Sequence, residues 1–130
     1  MAVTTEIDVR YRDLDTLAHV NNAVIATYVE QGRVGYLDRV FEAGLEEYAF
    51  VIAHLEIDFE RRIEIDDSVE VTVEVPELGT SSVPMRYRIT ADGERAATAE
   101  TTLVFLDEAH EDTAPIPEEI RERVETHEGL

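Results

Sequence analysis

The sequence predicts an α+β domain in which one long helix packs on an antiparallel sheet. Two observations carry that class. After a cluster of polar residues, Ala23 to Val29 is apolar almost all round, and Ile25, Val29, Gly32, Tyr36 and Val40 continue as one helical stripe. Beyond Gly44 the pattern changes to period two and holds it through four runs separated by short turn signals. A helix apolar on most sides needs cover, and strands buried on alternate residues need a layer on one face. Each supplies what the other lacks.

Taken in order, Thr4 to Tyr11 alternates, with Ile7, Val9 and Tyr11 against Glu6, Asp8 and Arg10, as a half-buried strand does. Asn21 or Asn22 is expected to cap the helix that follows through its side-chain oxygen. The helix is expected to run to Phe41 or Ala43 and to stop at Gly44. Gly32 and Gly35 inside it each cost about 1 kcal/mol against alanine, which calls for a neighbour close enough to exclude a side chain. Next, Val51, Ala53, Leu55, Ile57 and Phe59 alternate with Ile52, His54, Glu56, Asp58 and Glu60. Asp66, Asp67 and Ser68 turn the chain into Val69, Val71, Val73 and Val75, and Pro76, Leu78 and Gly79 end that strand. Val83, Met85, Tyr87 and Ile89 form another, and Ala91, Asp92 and Gly93 signal a hairpin into Arg95 to Leu106. Short turns predict that these four strands form an antiparallel meander. Pro117 opens a short closing helix with Glu118 and Glu119 in its first turn. No repeat or linker interrupts the 130 residues, so one domain over 1–130 is expected.

Charge narrows the function classes. Hydrophobic residues make up 44% of the chain, yet the formal net charge is -19, and all 11 basic residues are arginine. A carboxylate surface this dense suits molar salt, where screening acts over about 3 Å, and a halophilic protein is expected. Nucleic acid and anionic membranes both need a basic footprint that is missing here. Absence of cysteine removes thiol nucleophiles and disulfides. No apolar run approaches the roughly 20 residues of a membrane span, and MAVTTEIDVR has no signal-peptide core, so the expected location is the cytoplasm.

Chemistry concentrates where the long helix begins. Asp13, Asp15, His19, Asn21 and Asn22 lie just ahead of amides that have no partner inside the helix and present partial positive charge. A carboxylate and an amide donor facing one electrophile make a compact hydrolytic site. Aspartate also braces turns, so Asp15 has a purely structural alternative, as Asp13 has in a cap or a pairing with Arg10 or Arg12. Asp13, Asp15 and His19 are metal-ligand types without the spacing of a strong site, and no metal is expected. No GxSxG, GxGxxG or P-loop occurs.

The segment RYRDLDTLAHVNNAVIATYVEQGRVGYL, with its DxDxxxHVNN core, resembles the signature of the hotdog-fold acyl-CoA thioesterases of the 4-hydroxybenzoyl-CoA thioesterase type. FERRIEIDDSVEVTVEV, ELGTSSVPMRYRI and IPEEIRERV extend the resemblance over nearly the whole chain. It implies a hotdog fold, a sheet wrapped around a central helix, and hydrolysis of acyl-CoA without metal or cofactor. It implies a catalytic carboxylate at Asp15, a polarising helix-start amide near Asn22, and a homodimer or homotetramer with the site between subunits. His19 is then a candidate to orient substrate or Asp15, with Asn21 beside it. Glu30 matches a family glutamate that either approaches the site or satisfies a buried arginine. Arg61, Arg62, Arg86 and Arg88 are candidate contacts for the CoA phosphates, with ion pairs to neighbouring carboxylates as the alternative.

The same stretch is similar to the plant acyl-carrier-protein thioesterases, whose aspartate, asparagine and histidine fall on Asp15, Leu17 and His19. Leu17 departs from that pattern and cannot orient a water. Many members of the first family carry glycine at the position of Ala18. Two other functions share the fold: a non-catalytic acyl-CoA-binding or regulatory domain, and a hotdog enoyl-CoA hydratase.

Overall fold

The computed structural model describes residues 2–44 and 46–130. Strand β1 (Val3–Ile7) leads through a 3-10 turn (Tyr11–Asp13) into helix α1 (Asn22–Tyr36), whose final turn, Leu37–Phe41, is wound as a π-helix. Strands β2 (Phe50–Phe59), β3 (Val69–Glu74), β4 (Ser82–Ala91) and β5 (Glu94–Phe105) follow, then helix α2 (Glu118–Glu128). All strand pairs are antiparallel, in the order β1-β3-β4-β5-β2. The two strands that flank α1 in sequence are therefore the two edges of the sheet.

Alternation places the core. Val69, Val71 and Val73 of β3, Val83, Met85, Tyr87 and Ile89 of β4, and Ala97, Ala99, Thr101, Leu103 and Phe105 of β5 are buried on the face toward α1. From the helix, Ile25, Tyr28, Val29, Gly32 and Tyr36 meet them. The glycines have the role their cost implied. A Cβ on Gly32 would lie 2.5 Å from Val71 Cγ1, and one on Gly35 would collide with Thr5 Oγ1. α1 packs on β1, β3 and β4, leaving a trough between the helix and the β5–β2 side of the sheet.

The structure corrects four expectations. Only β3, β4 and β5 form a meander; β2 pairs with β5 at the far edge, because β1 already occupies the free side of β3. A register shift between Ile52 and His54 puts Phe50 and Ile52 opposite Phe105 and Leu103 on the helix-facing side, with Leu55, Ile57 and Phe59, and turns Val51 to the other face. β1 ends at Ile7, and Tyr11 is 84% exposed in the 3-10 turn, where Asp13 draws the chain around. The long helix runs to Phe41, within the expected bounds, but Glu42, in the left-handed region at φ 55°, and not Gly44, ends it.

Candidate active site

The polar cluster ahead of α1 is held by its own backbone. Asp15 N–H donates to the His19 carbonyl at 2.8 Å, and Ala18 N–H to the Asp15 carbonyl at 3.0 Å. Ala18 takes a left-handed φ of 63° to close the turn, which explains why glycine suits this position. Asp15 Oδ1 accepts from the Leu17 and His19 amides at 2.9 and 3.3 Å. Its Oδ2 has no hydrogen-bond partner among the described residues. The carboxylate thus braces the turn with one oxygen and presents the other.

Asp13 has the structural role, though through a backbone amide and a tyrosine and not through an arginine side chain. Its Oδ2 accepts from Arg10 N–H at 2.9 Å and from the Tyr28 hydroxyl at 2.7 Å, and its carbonyl accepts from Asn21 N–H at 2.9 Å. Burial, then the bond to Asp13, pushes the Tyr28 phenol above the usual tyrosine range. The loop is therefore pinned to the helix it precedes.

At the helix start Asn21 is the cap, its Oδ1 accepting from Ala23 N–H at 2.8 Å. The Val24 and Ile25 amides donate to the Asn21 carbonyl at 2.8 and 3.2 Å. That leaves the Asn22 N–H as the first-turn amide without a partner among the described residues. Asn22, Asp15 and His19 all line one cleft of about 290 Å³, whose other walls include Ile25, Phe59, Ile63 and Ala97. The helix start, with its positive dipole end, and the Asp15 carboxylate thus border the same space.

The remaining candidates separate. Arg61 and Arg62 line this cleft. Arg61 also donates to the Ala91 carbonyl at 2.8 Å and pairs with Glu94 at 3.4 Å, while the exposed Arg62 lies 3.5 Å from Glu64. Arg86 and Arg88 alternate with the buried Met85, Tyr87 and Ile89 and so lie on the outer face of the sheet. There they share a hollow with Glu56, Asp58, Glu74 and Glu100, across the sheet from Asp15. Glu30 is not on the Asp15 cleft; its Oε2 lies 3.8 Å from Arg33, farther along α1. Arg33 itself, Phe59 and Ala97 are absent from the site that the sequence predicts. Helical arithmetic points to Arg33, four residues after Val29 and three before Tyr36.

The family model of the thioesterase-like superfamily matches residues 9–124. The chain belongs to that superfamily. Its architecture is the hotdog fold, the fold of the thioesterases to which it is similar. Long-chain acyl-CoA thioesterase FadM of Escherichia coli is 29% identical over 126 residues, 93% of this chain and 96% of that relative. A thioesterase of Thermus thermophilus, solved with coenzyme A and Zn, superposes on this superfamily member with a TM-score of 0.90 at 45% identity, over 98% of this chain and 95% of that one. The 1,4-dihydroxy-2-naphthoyl-CoA thioesterase of Synechocystis shares the fold, with a TM-score of 0.87 at 18% identity over 95% and 96% of the two chains.

Proposed function

We propose that this protein hydrolyses an acyl-CoA thioester to the free acid and CoA, with Asp15 as the reacting carboxylate and the Asn22 amide as the donor that polarises the carbonyl. One observation carries the reading: Asp15, whose Oδ2 has no partner among the described residues, and Asn22, whose amide has none, both line one cleft. An ionised aspartate can add to the thioester carbon as a nucleophile or take a proton from a water that adds instead. In either case the tetrahedral oxyanion forms beside the helix amide, and the C–S bond breaks to release a thiolate that needs little protonation; where Asp15 itself adds, water then cleaves the mixed anhydride to the free acid and restores the carboxylate. His19 lines the same cleft, and we assign it to orient substrate or carboxylate.

A binding domain without turnover is the second reading, and the two turn bonds to Asp15 Oδ1 favour it. Mixing the protein with a panel of acyl-CoAs and a thiol-detecting dye in high salt separates them. Stoichiometry-exceeding release of free CoA is the expected result; tight binding with no release would establish the non-catalytic reading.

Assembly follows from the edge. β2 is a ten-residue edge strand on which Val51, Leu55 and Phe59 are 44, 47 and 47% exposed. Such an edge is a template for pairing. A homodimer joined there, or a tetramer of such dimers, is the assembly we infer, with the Asp15 trough at the subunit boundary. Light scattering in molar and in low salt tests it, and a monomer that turns over substrate would overturn it.

A further inference from the structure

The trough between α1 and β2 has a second polar station. Arg33 is a buried cation, its side chain 10% exposed. A guanidinium carries five N–H donors. Here Nη1 makes one long hydrogen bond, 3.4 Å to the Tyr87 hydroxyl, and Nη2 lies 3.8 Å from Glu30 Oε2, beyond hydrogen-bond range. Tyr87 is already engaged, its hydroxyl 2.7 Å from Thr101 Oγ1, and the Glu30 side chain is 65% exposed. A buried cation met this sparsely is costly, and the cost is recovered when an acceptor arrives.

The surroundings say what kind of acceptor. Arg33 and Glu30 line a cleft of about 390 Å³ whose other walls are largely apolar: Ala26, Val29, Ile52 and Leu55. Ile25 and Phe59 line the Asp15 cleft, so the two clefts follow one another along the same helix and the same strand. Eleven residues separate Asn22 from Arg33, roughly 16 Å of helix, and a helical side chain leans back by about one turn, so the guanidinium stands roughly 10 Å from the helix start. A carbonyl held at Asn22 would send its chain along an apolar wall and then to a cation.

Resting on the thioesterase reading above, we propose that the preferred acyl group is of medium length and ends in an oxygen acceptor, a hydroxyl or a carboxylate, which Arg33 binds. A hydroxyl fits beside Glu30 as it stands. A carboxylate takes Glu30's place, since that side chain is free to swing into solvent. Arg33 is in this scheme a specificity-determining residue.

The test compares chains of ten carbons ending in methyl, hydroxyl or carboxylate, both as CoA thioesters and as the corresponding S-alkyl CoA thioethers, which cannot be hydrolysed. For the thioesters, kcat/KM of at least one oxygen-ended chain is expected to exceed that of decanoyl-CoA at least tenfold, because a site built to donate a hydrogen bond rejects an analogue that cannot accept it. Arg33→Met, which substitutes an apolar side chain of similar length, should remove or invert that preference. Equal or better hydrolysis of decanoyl-CoA by the parent protein would overturn the proposal without any variant; it is the result expected if a second copy's carboxylate occupied Arg33. Calorimetry of the thioethers decides the matter independently of turnover: tighter binding of the 10-hydroxydecyl or 9-carboxynonyl chain than of the decyl chain supports the site even if no thioester is cleaved, and the reverse order refutes it.

Discussion

Near the N-terminal end of α1 the Tyr28 hydroxyl donates to Asp13 Oδ2 at 2.7 Å, and near the C-terminal end the Tyr36 hydroxyl donates to Glu128 Oε2 at 2.6 Å. Both ends also carry a non-glycine residue in the left-handed region, Ala18 at φ 63° and Glu42 at φ 55°. The devices match but the outcomes do not. At the C-terminal end, α2 closes the fold: Arg123 donates to the Phe41 carbonyl at 2.6 Å and pairs with Glu42 at 3.2 Å, and Glu128 also accepts from Val75 N–H at 3.1 Å. Phe41 stacks on Phe105 beneath it with ring centroids 6.2 Å apart. At the N-terminal end the same kind of anchoring stops at the loop, and Asn22 and Asp15, with an amide and a carboxylate oxygen that have no partner among the described residues, line a cleft. One end of the helix is consumed by stability; the other is the end to which we assign the chemistry.

The largest effect expected from breaking this asymmetry comes from Asp15→Asn. Asparagine keeps an oxygen to accept from the Leu17 and His19 amides, so the turn and the melting temperature should be retained. Its loss of charge should lower kcat by 10²- to 10⁴-fold, about 3–5 kcal/mol in the barrier. Substrate binding should persist, since the helix start is untouched. Turnover equal to the parent's in the dye assay would show that Asp15 is only a turn residue.

The paired tyrosines come next. Tyr28→Phe and Tyr36→Phe each remove a hydrogen bond to a carboxylate, expected to cost about 1–3 kcal/mol by denaturant melts. Only Tyr28→Phe should also slow hydrolysis, because Asp13 holds the loop that presents Asp15. Equal kinetic effects would erase the functional distinction between the ends. The same residues set an alkaline limb. Burial first, then the bonds to Asp13 and Glu128, raises both phenols above their usual range. Below about pH 10 both are protonated folded or unfolded, and their contribution is fully present. As pH rises further the unfolded chain loses these protons first, so stability falls. Melts of the double phenylalanine variant should show a flatter decline above about pH 10 than the parent.

Much of this asymmetry is legible in the sequence. The polar run ending in Asn21 and Asn22 locates the helix start, the two helix glycines announce close packing, and the alternation in β3 to β5 identifies the buried face. Alternation also holds information that the phosphate-contact expectation did not use: with Met85, Tyr87 and Ile89 inward, Arg86 and Arg88 must face outward. Other features depend on contacts that no local pattern encodes. The bulge at Ala53 is set by pairing with β5, and β2 reaches that strand only because β1 holds the opposite edge. The carbonyl of Phe41, the last helical residue, is taken up by Arg123, from α2 far along the chain. A cleft whose walls come from α1, β2 and β5 together is a product of tertiary structure.

The smallest predicted effect sharpens the comparison at the two left-handed residues. A β-carbon in the left-handed region costs roughly 1–2 kcal/mol, while glycine loses about 0.5–1 kcal/mol more backbone freedom on folding. Ala18→Gly should therefore stabilise the protein by up to about 1 kcal/mol, because the exposed Ala18 methyl contributes no compensating contact. Glu42→Gly relieves the same strain but gives up the ion pair with Arg123, in which the Glu42 side chain is 66% exposed. Such pairs are worth about 0–1 kcal/mol and weaken in salt, so its net effect should be near zero in low salt and should move toward that of Ala18→Gly in molar salt. Denaturant melts of both variants at the two salt concentrations check this. Activity of Ala18→Gly should stay within about twofold of the parent, since the hydrogen bonds that fix Asp15 do not involve the lost methyl; a larger loss would mean that the strained turn itself positions the carboxylate.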